Sequence, residues 1–361
     1  MNLYWWGIFS LNLLLSAGIM LTYLSRRDSK SDTLSPKESD STDKRVLVII
    51  PAKGVDYEMD KNLASIRNQD FEKFDIVSVV DSEEDQAVSF LKREGIKFII
   101  STGDCAKCSG KVKAIYSALV TFLDYDYYVI ADSDIRAQPD WLSGLIEPLI
   151  DTTIGVSTTF PVFFPEGGFW TKVKMFWGLV GQSMMESNLT KFVWGGSMAF
   201  RGTLLDKESL NFFSESVSDD IAILKISKEK GLKISYVPES RPRIYSNDDF
   251  PTFLEWSSRQ TAFSIYSTNN TFRFGIIYYT VAAYLVLSSL VFAVLVNDIF
   301  LLFLLPYIVN SVNSQMKVPV KVWYFLSVTF ILPYIYIWNL IVGMVRKKVH
   351  WRGSVYSLSK D

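Results

Sequence analysis

Apolar stretches of membrane-spanning length lie at both ends of this 361-residue chain. The first covers residues 4–24, with Asn12 as its only strongly polar side chain. About 20 apolar residues form a helix that crosses the ~30 Å hydrocarbon core of a bilayer. Arg26 and Arg27 follow this stretch, whereas a cleaved signal peptide carries its positive charge before the apolar residues. The sequence therefore predicts an N-terminal membrane anchor, with the following chain in the cytosol.

Three further apolar stretches lie near the C-terminus, at residues 274–296, 299–310 and 322–345. The 299–310 stretch is short for a membrane span and contains Pro306. A basic segment follows the last stretch, and basic side chains favour the cytosolic side of a membrane. We therefore expect three crossings in the whole chain, with residues 299–310 re-entrant. Four crossings are the alternative.

The middle of the chain, residues 45–249, alternates between strand-like and helix-like patterns. The predicted strands are short apolar runs at residues 46–50, 76–80, 98–100, 127–131, 155–159 and 233–237. The predicted helices lie at residues 58–68, 83–94, 111–123, 139–149 and 219–230. This alternation indicates βαβ units, and hence a parallel sheet covered by helices on both faces.

Changes in composition divide the chain into six segments. Residues rich in Ser, Asp and Lys after the anchor predict a flexible tether. Residues 250–267 predict an amphipathic helix, rich in Phe, Trp and Tyr, that suits a membrane surface. The expected segments are an anchor (1–24), the tether (25–44), a cytosolic α/β domain (45–249), an interfacial helix (250–272), a transmembrane region (273–345) and a basic cytosolic tail (346–361).

Composition also excludes several kinds of chemistry. The net charge of −1 provides no basic face for nucleic acid. Two cysteines, Cys105 and Cys108, and one histidine, His350, are too few for a disulfide framework or a four-ligand zinc site. The histidine lies in the basic tail, which argues against a Ser-His-Asp triad. Catalysis is therefore expected to depend on carboxylates, lysines or arginines.

Acidic side chains directly follow two of the predicted strands. Asp81 follows residues 76–80, and Asp132 and Asp134 follow residues 127–131. Ligands of open α/β sheets bind beyond the carboxyl ends of strands, so we expect these acids to line one crevice. An Asp-x-Asp pair suits Mg²⁺ or Mn²⁺, which takes carboxylate and phosphate oxygens and neutralises a departing diphosphate. A solvated turn is the alternative, but the preceding strand is wholly apolar, which favours the metal site.

Two predicted helices begin with charged side chains. Ser218, Asp219 and Asp220 open the helix at residues 219–230. Helix capping alone accounts for acids in a first turn, although a carboxylate there can also accept a proton from an acceptor hydroxyl. Lys111 opens another helix, where the positive N-terminus favours phosphate. A solvated surface lysine is an equal alternative.

With these residues placed, the chain resembles glycosyltransferase family 2 and, more closely, the ceramide glucosyltransferase family. The likeness runs in order along nearly the whole chain, from the anchor to the basic tail. The matching segments are Ile50-Pro-Ala-Lys-Gly-Val-Asp56, Asn68-Gln-Asp-Phe71, Val80-Asp-Ser-Glu-Glu-Asp85, Ala131-Asp-Ser-Asp-Ile-Arg136, Ser218-Asp-Asp220 and Trp351-Arg-Gly-Ser-Val-Tyr356.

The resemblance implies a GT-A fold, which is a Rossmann-like nucleotide-diphospho-sugar transferase fold, for the catalytic middle domain. It places Asp81 at the nucleobase and ribose of a UDP-sugar, and Asp132 between the ribose and the diphosphate. It places Asp134, beside Asp132, on the metal ion. It makes Asp220 the general base and Asp219 its close neighbour.

A fourth motif of that family, Gln/Arg-x-x-Arg-Trp, corresponds to Trp256-Ser-Ser-Arg-Gln260 here, with the two outer residues exchanged. The resemblance implies that Arg259 steadies the diphosphate by bidentate hydrogen bonding. Trp256 and Gln260 are then candidate acceptor contacts. Trp194 is another, because the two glycines after it allow a close approach to a sugar; a tight turn is the alternative.

These features predict a membrane-bound inverting hexosyltransferase that moves a hexose, by resemblance glucose, from a UDP-sugar to a lipid hydroxyl. Lys111, Asp81, Asp132 and Arg259 would bind the donor, with Asp132 and Asp134 on Mg²⁺ or Mn²⁺. Aromatic side chains of residues 160–194 and 250–267 are candidate walls for the lipid, with ordinary membrane-facing burial as the alternative.

The expected partners are a nucleotide-sugar donor, a lipid acceptor and the membrane. No nucleic acid and no obligate protein partner is inferred. A transferase of the same fold that acts on a polyprenyl phosphate or a polysaccharide is the first alternative function. A non-catalytic membrane scaffold or a transporter is a remote one.

Overall fold

A computed structural model describes residues 3–24, 44–103, 108–188, 190–267, 269–318, 320–351 and 354–357. Cys105 and almost all of the predicted tether at residues 25–44 lie outside this part of the chain. The α-helices are α1 (Leu3–Leu24), α2 (Met59–Arg67), α3 (Ala87–Arg93), α4 (Gly110–Thr121), α5 (Trp141–Ile146), α6 (Phe169–Met185), α7 (Lys207–Ser214), α8 (Asp219–Glu229), α9 (Phe250–Ser267), α10 (Asn269–Leu295), α11 (Leu305–Lys317), α12 (Val322–Leu326) and α13 (Leu332–Val345).

Short 3₁₀ helices supplement these elements at Glu147–Ile150, Gly202–Leu204 and Asp298–Leu304. The strands are β1 (Val46–Pro51), β2 (Phe74–Val80), β3 (Lys97–Ile100), β4 (Tyr127–Ala131), β5 (Ile135–Arg136), β6 (Ile154–Thr158), β7 (Val162–Phe164), β8 (Ser197–Arg201), β9 (Lys233–Tyr236), β10 (Arg243–Tyr245), β11 (Lys348–Trp351) and β12 (Ser354–Ser357).

The central sheet has seven strands in the order β3-β2-β1-β4-β8-β6-β9. The pairs β3–β2, β2–β1, β1–β4 and β6–β9 are parallel, as expected from the alternating pattern. Strand β8 runs antiparallel to both of its neighbours, so the prediction of a purely parallel sheet was wrong. Helix α6 and the turn after it return the chain to the carboxyl end of β4. Strand β8 starts there, so it runs in the direction opposite to β4.

Helices cover both faces of this sheet because its buried strands alternate apolar side chains between the two faces. Val46, Val48 and Ile50 of β1 face a core with α2, α3 and α5. Leu47 and Ile49 face a second core with α4 and α8. Burial on both faces explains why these strands are continuous apolar runs, and it fixes the edge at which the following polar residues emerge.

Within the described ranges, three helices are long and apolar enough to cross a membrane: Leu3–Tyr23, Asn270–Leu295 and Asp298–Lys317. The third contains the 299–310 stretch, which is therefore part of a helix of spanning length although the apolar stretch itself is short. Its helix continues past the apolar residues through the more polar second half of α11. Conversely, the 322–345 stretch does not form one long helix.

That stretch breaks into α12 and α13, separated by a turn that ends just before Pro333. Proline has no backbone N–H and is tolerated only in the first turn of a helix, which makes the break favourable there. Helix α13 then packs against α9, where Asn339 accepts hydrogen bonds from Ser257 and Ser258 at 3.3 and 3.1 Å. Arg346, just after α13, pairs with Glu255 of α9.

Candidate active site

The candidate site lies at the carboxyl ends of β1, β2 and β4. Asp132 follows β4 directly, and its backbone N–H donates to the carbonyl of Gly196, just before β8, at 3.0 Å. Asp81 follows β2, on the far side of β1. Two strand spacings separate the two acids by about 10 Å, which is the scale of a nucleoside. The expectation that these strand ends share one edge of the sheet is met.

Lys111 lies at the centre of the acidic cluster. Its Nζ lies 2.7 Å from Asp132 Oδ1 and 3.2 Å from Asp219 Oδ2, and only 10% of its side chain is exposed. Helix α4 presents this lysine from its first turn, and the Ser109 side chain caps the helix by accepting from the backbone N–H of Val112 at 3.1 Å. Lys111 is therefore not a solvated surface lysine.

Burial and charge oppose each other at this cluster. Burial alone would lower the pKa of Lys111, but the carboxylates of Asp132 and Asp219 outweigh it and hold that pKa above its ordinary value. Burial raises the pKa of Asp219 to about 6, the Lys111 ammonium opposes that rise, and the carboxylates of Asp220 and Asp132 add to it. Lys111 thus remains a cation and holds the two acids together.

The neighbouring Asp220 has a different environment. Its Oδ1 accepts a hydrogen bond from the Ser218 hydroxyl and another, of 2.7 Å, from the backbone N–H of Ile221. Ser218 occupies the N-cap position of α8, but its side chain makes no capping hydrogen bond. Instead it orients the Asp220 carboxylate, which is partly exposed while that of Asp219 is buried.

Asp134 lies in the turn after β4, two residues beyond Asp132, and is partly buried. This turn is held in place because the Ser133 hydroxyl donates to Asp56 at 2.5 Å. No group of three or more His, Cys, Asp or Glu side chains suited to a metal ion occurs among the described residues. Two carboxylates fit a Mg²⁺ or Mn²⁺ ion that takes its other ligands from a diphosphate and water, since Mg²⁺ needs only one or two protein carboxylates.

Two glycines allow the acids to approach the loop before β8. A Cβ atom on Gly195 would lie 2.4 Å from Asp219 Oδ2. A Cβ atom on Gly196 would lie 2.2 Å from the Trp194 ring and 2.7 Å from Asp132 Oδ2. Both positions therefore need glycine for space.

We expect Gly195→Ala to reduce sugar transfer by about 10²-fold, because displacing Asp219 by roughly 1 Å disturbs Lys111 and Asp132 with it. Gly168→Ala is the matched control, since a Cβ atom there would meet nothing within 4 Å. Initial rates of both variants, with melting temperatures to confirm folding, provide the measurement. Equal rates in both variants would show that the close packing at Gly195 has no bearing on turnover.

The predicted acceptor residues lie in an aromatic cluster beside the acids. The Trp194 ring lies 6.0 Å from that of Phe160, and the Trp256 ring lies 4.9 Å from that of Phe163. Arg259 and Gln260 follow Trp256 on α9 and are partly buried. The proposed contact of Arg259 with a diphosphate stays a prediction.

Two contributions were not foreseen from the sequence. Lys53, after β1, pairs with Asp81 at 2.7 Å; its position directly after a buried strand was a signal that could have identified it. Lys174 of α6 pairs with Asp248 at 2.7 Å, and its Nζ lies 4.7 Å from the centre of the Trp256 ring. No sequence pattern connects residues so far apart.

Comparisons with known proteins identify the family and the fold of this chain. A family model described as glycosyl transferase family 21 matches residues 9–361. The solved mannosyltransferase PcManGT from Pyrobaculum calidifontis, in complex with GDP-Man and Mn²⁺, is 16% identical, with 94% of this chain and 97% of that chain covered at a TM-score of 0.53. Glucosyl-3-phosphoglycerate synthase from Mycobacterium tuberculosis, in complex with Mn²⁺, UDP and glucosyl-3-phosphoglycerate, is 15% identical, covering 66% and 88% at a TM-score of 0.43.

The first of these structures supports the GT-A fold, and the family match confirms the resemblance drawn from the motifs. The protein is accordingly a hexosyltransferase that uses a nucleotide-sugar. Because the match extends over nearly the whole sequence, this chain belongs to glycosyl transferase family 21.

Proposed function

We propose that this enzyme is a membrane-bound inverting transferase that moves glucose from UDP-glucose to a hydroxyl group of a membrane lipid. The observation that carries the proposal is the convergence of Lys111, Asp132 and Asp219 at one strand end, with Asp220 beside them. The same domain packs through α6 and α9 against apolar helices. The domain that would bind the donor is therefore in direct contact with the apolar helices along which a lipid would approach.

The proposed donor lies along the carboxyl edge of the sheet. In this arrangement Asp81, paired with Lys53, contacts the nucleobase and ribose, and Asp132 contacts the junction of the ribose and the diphosphate. The cluster around Lys111 contains more carboxylates than ammonium groups, so it repels a diphosphate unless positive charge is added. A divalent cation, held by Asp134 and Asp132, supplies that charge and neutralises the leaving group when bound.

The acceptor is activated by Asp220. Its carboxylate is oriented by Ser218 and the backbone of Ile221, and takes the proton from the lipid hydroxyl. The hydroxyl oxygen then bonds to the anomeric carbon as the bond from that carbon to the diphosphate oxygen breaks, and UDP departs. One such displacement inverts the anomeric centre, so an α-linked donor gives a β-linked product.

The leaving group is stabilised by Lys111 and Arg259. Lys111 is fixed by two carboxylates, and a fixed cation in a buried site stabilises developing charge without having to reorganise. Arg259 presents a planar guanidinium from α9, suited to bidentate contact with phosphate oxygens.

We infer that Leu3–Tyr23, Asn270–Leu295 and Asp298–Lys317 cross the membrane and that α12 and α13 form a re-entrant hairpin. The Arg346–Glu255 pair supports this arrangement, because it holds the end of α13 at the same surface as α9. Three crossings from an outside N-terminus place both the catalytic domain and the basic tail in the cytosol, in agreement with the positive-inside rule.

The test is an assay of purified enzyme in lipid nanodiscs with a panel of UDP- and GDP-sugars, Mn²⁺ or Mg²⁺, and membrane lipid extract. We expect UDP release that depends on lipid, is greatest with UDP-glucose, and yields a β-linked glycolipid. Transfer to polyprenyl phosphate, with none to lipids that carry a free hydroxyl, would contradict the proposal.

A further inference from the structure

A cavity of about 200 Å³ lies between α1, α6, α10, α11 and the α12–α13 hairpin. We call it the α11 cavity and define it by six of its polar lining residues: Ser183, Tyr278, Tyr307, Asn310, Asn313 and Thr329. It is separate from the carboxylate cluster. Ligand pockets commonly measure about 300–1,000 Å³, so this cavity suits a polar head group and not a whole lipid.

The lining is unusually polar for its position among apolar helices. Asn310 and Asn313 lie three residues apart on α11, and therefore on one face of it. Neither amide has a side-chain hydrogen bond to another described residue, although Tyr307 donates to the carbonyl of Ala282 at 2.6 Å. Polar side chains inside membrane helices are costly, so they generally mark a ligand or a pathway.

The charge at the rim of the α11 cavity is balanced. Lys317 ends α11, and its Nζ lies 2.7 and 2.6 Å from the two carboxylate oxygens of Glu186, the residue after α6. Both side chains are largely buried. This bidentate pair leaves the cavity with hydroxyl, phenol and amide groups for its ligand. Such a lining favours an uncharged head group that both donates and accepts hydrogen bonds. It disfavours a phosphate, because a phosphate would need a cation of its own.

Aromatic side chains connect the α11 cavity to the carboxylate cluster. Tyr336, which lines the cavity, stacks on Trp177 at 5.7 Å, and Trp177 lies 4.9 Å from Trp256. Trp256 and Phe163 continue this wall towards Phe160 and Trp194, beside the acids. The α11 cavity therefore lies at one end of a continuous chain of aromatic contacts, and the other end of this chain lies beside the acids.

We propose that the α11 cavity is the entry site for the acceptor, where the polar head group of an uncharged lipid is held before its hydroxyl reaches the sugar. This assignment rests on the proposed function and locates the point at which its acceptor enters. The amides of Asn310 and Asn313 bind the head group, while the hydrocarbon chains lie in the bilayer.

The test compares Asn310→Leu/Asn313→Leu with Val312→Leu, a control at an exposed position of the same helix. Leucine retains the apolar character that helix insertion needs. The first readout is labelling of the full-length enzyme in nanodiscs, without donor, by a ceramide that carries a photoreactive diazirine. A photoreactive polyprenyl phosphate is the competing probe. We expect the ceramide to label α11 or α6 peptides, and the double variant to reduce labelling about tenfold.

The second readout is steady-state kinetics. The double variant should raise the KM for the hydroxyl lipid about tenfold and leave the KM for UDP-glucose unchanged. Labelling that is equal in the double variant and the control, or greater with polyprenyl phosphate, would overturn the entry site. Labelling that is lost with no change in lipid KM would also overturn it, because the cavity would then hold only a structural lipid.

Because labelling needs no catalysis, the two proposals can fail separately. If the Asp220→Asn enzyme is inactive but is still labelled at the cavity, the entry-site proposal stands. A wild-type enzyme that transfers sugar to hydroxyl lipids without labelling at the cavity retains the proposed function and loses the entry site.

Discussion

Asp134→Ala is expected to reduce sugar transfer about 10³-fold at saturating Mn²⁺. In the proposed mechanism Asp134 and Asp132, in the turn after β4, would hold the ion, and a metal ion contributes several kcal/mol of stabilisation to a departing diphosphate. A loss of roughly 4 kcal/mol corresponds to that factor. The binding of UDP, followed by calorimetry with and without Mn²⁺, should lose its metal dependence in the same variant.

The control is Asp140→Ala, an exposed aspartate six residues further along whose side chain caps no helix. We expect it to retain wild-type turnover and wild-type metal dependence. If Asp134→Ala and Asp140→Ala turned over equally with Mn²⁺ saturating, Asp134 would have no role in binding the metal ion.

Asp220→Asn is expected to lower kcat about 10²–10⁴-fold for a hydroxyl acceptor, because the amide cannot accept the proton. The KM for UDP-glucose should stay within about threefold, since the proposed mechanism assigns Asp220 to the acceptor and not to the diphosphate. Glu229→Gln, at the other end of α8 and exposed, is the matched control. A kcat near the wild-type value in Asp220→Asn would show that Asp220 is not the general base. It would favour a phosphate acceptor, which needs no general base.

Asp219→Asn separates the two neighbouring acids. Asp219 is buried against Lys111. The amide variant therefore removes one of the two carboxylates that pair with the buried Lys111 ammonium and leaves only Asp132 beside it. A loss of stability of about 1–3 kcal/mol follows, measured as a lower melting temperature. Asp220→Asn should melt like the wild type, since its carboxylate is partly exposed. A lower melting temperature in Asp220→Asn, with none in Asp219→Asn, would instead make Asp220 the structural acid of the two.

Much of the catalytic domain could be predicted from the sequence because its strands are buried on both faces. The apolar run at residues 127–131 coincides with β4, and Asp132 and Asp134 follow it at the expected edge. Strand β8 was not predicted from the sequence. Only Met198, Ala199 and Phe200 of Ser197–Arg201 are apolar, and so short an apolar run neither identifies a strand nor reveals its direction.

The centre of the site was less accessible to sequence reasoning. Lys111 opens a helix, which is equally consistent with a surface lysine. Its burial results from the position of α4 beside β1 and β2, and from the approach of Asp219 across Gly195. Such long-range contacts leave no periodic pattern in the chain. The motif resemblance identified the acids for this site without showing that a lysine joins them.

The membrane region shows the limits of hydropathy more clearly. Residues 299–310 are short as an apolar run, yet the helix that contains them extends to Lys317. Residues 322–345 are long as an apolar run, yet they form two short helices, with Pro333 in the first turn of the second. Hydropathy measures composition along the chain, whereas helix length also depends on capping, proline and packing.

The proposed reaction requires one metal-bound diphosphate at the carboxyl ends of β1, β2 and β4. A cryo-electron microscopy structure of the full-length enzyme with UDP and Mn²⁺ tests this requirement most directly. We predict Mn²⁺ density between Asp134 and the diphosphate, with uracil near Asp81 and the β-phosphate near Lys111. Nucleotide density on any other surface, with Lys111, Asp132 and Asp219 remote from it, would contradict the account.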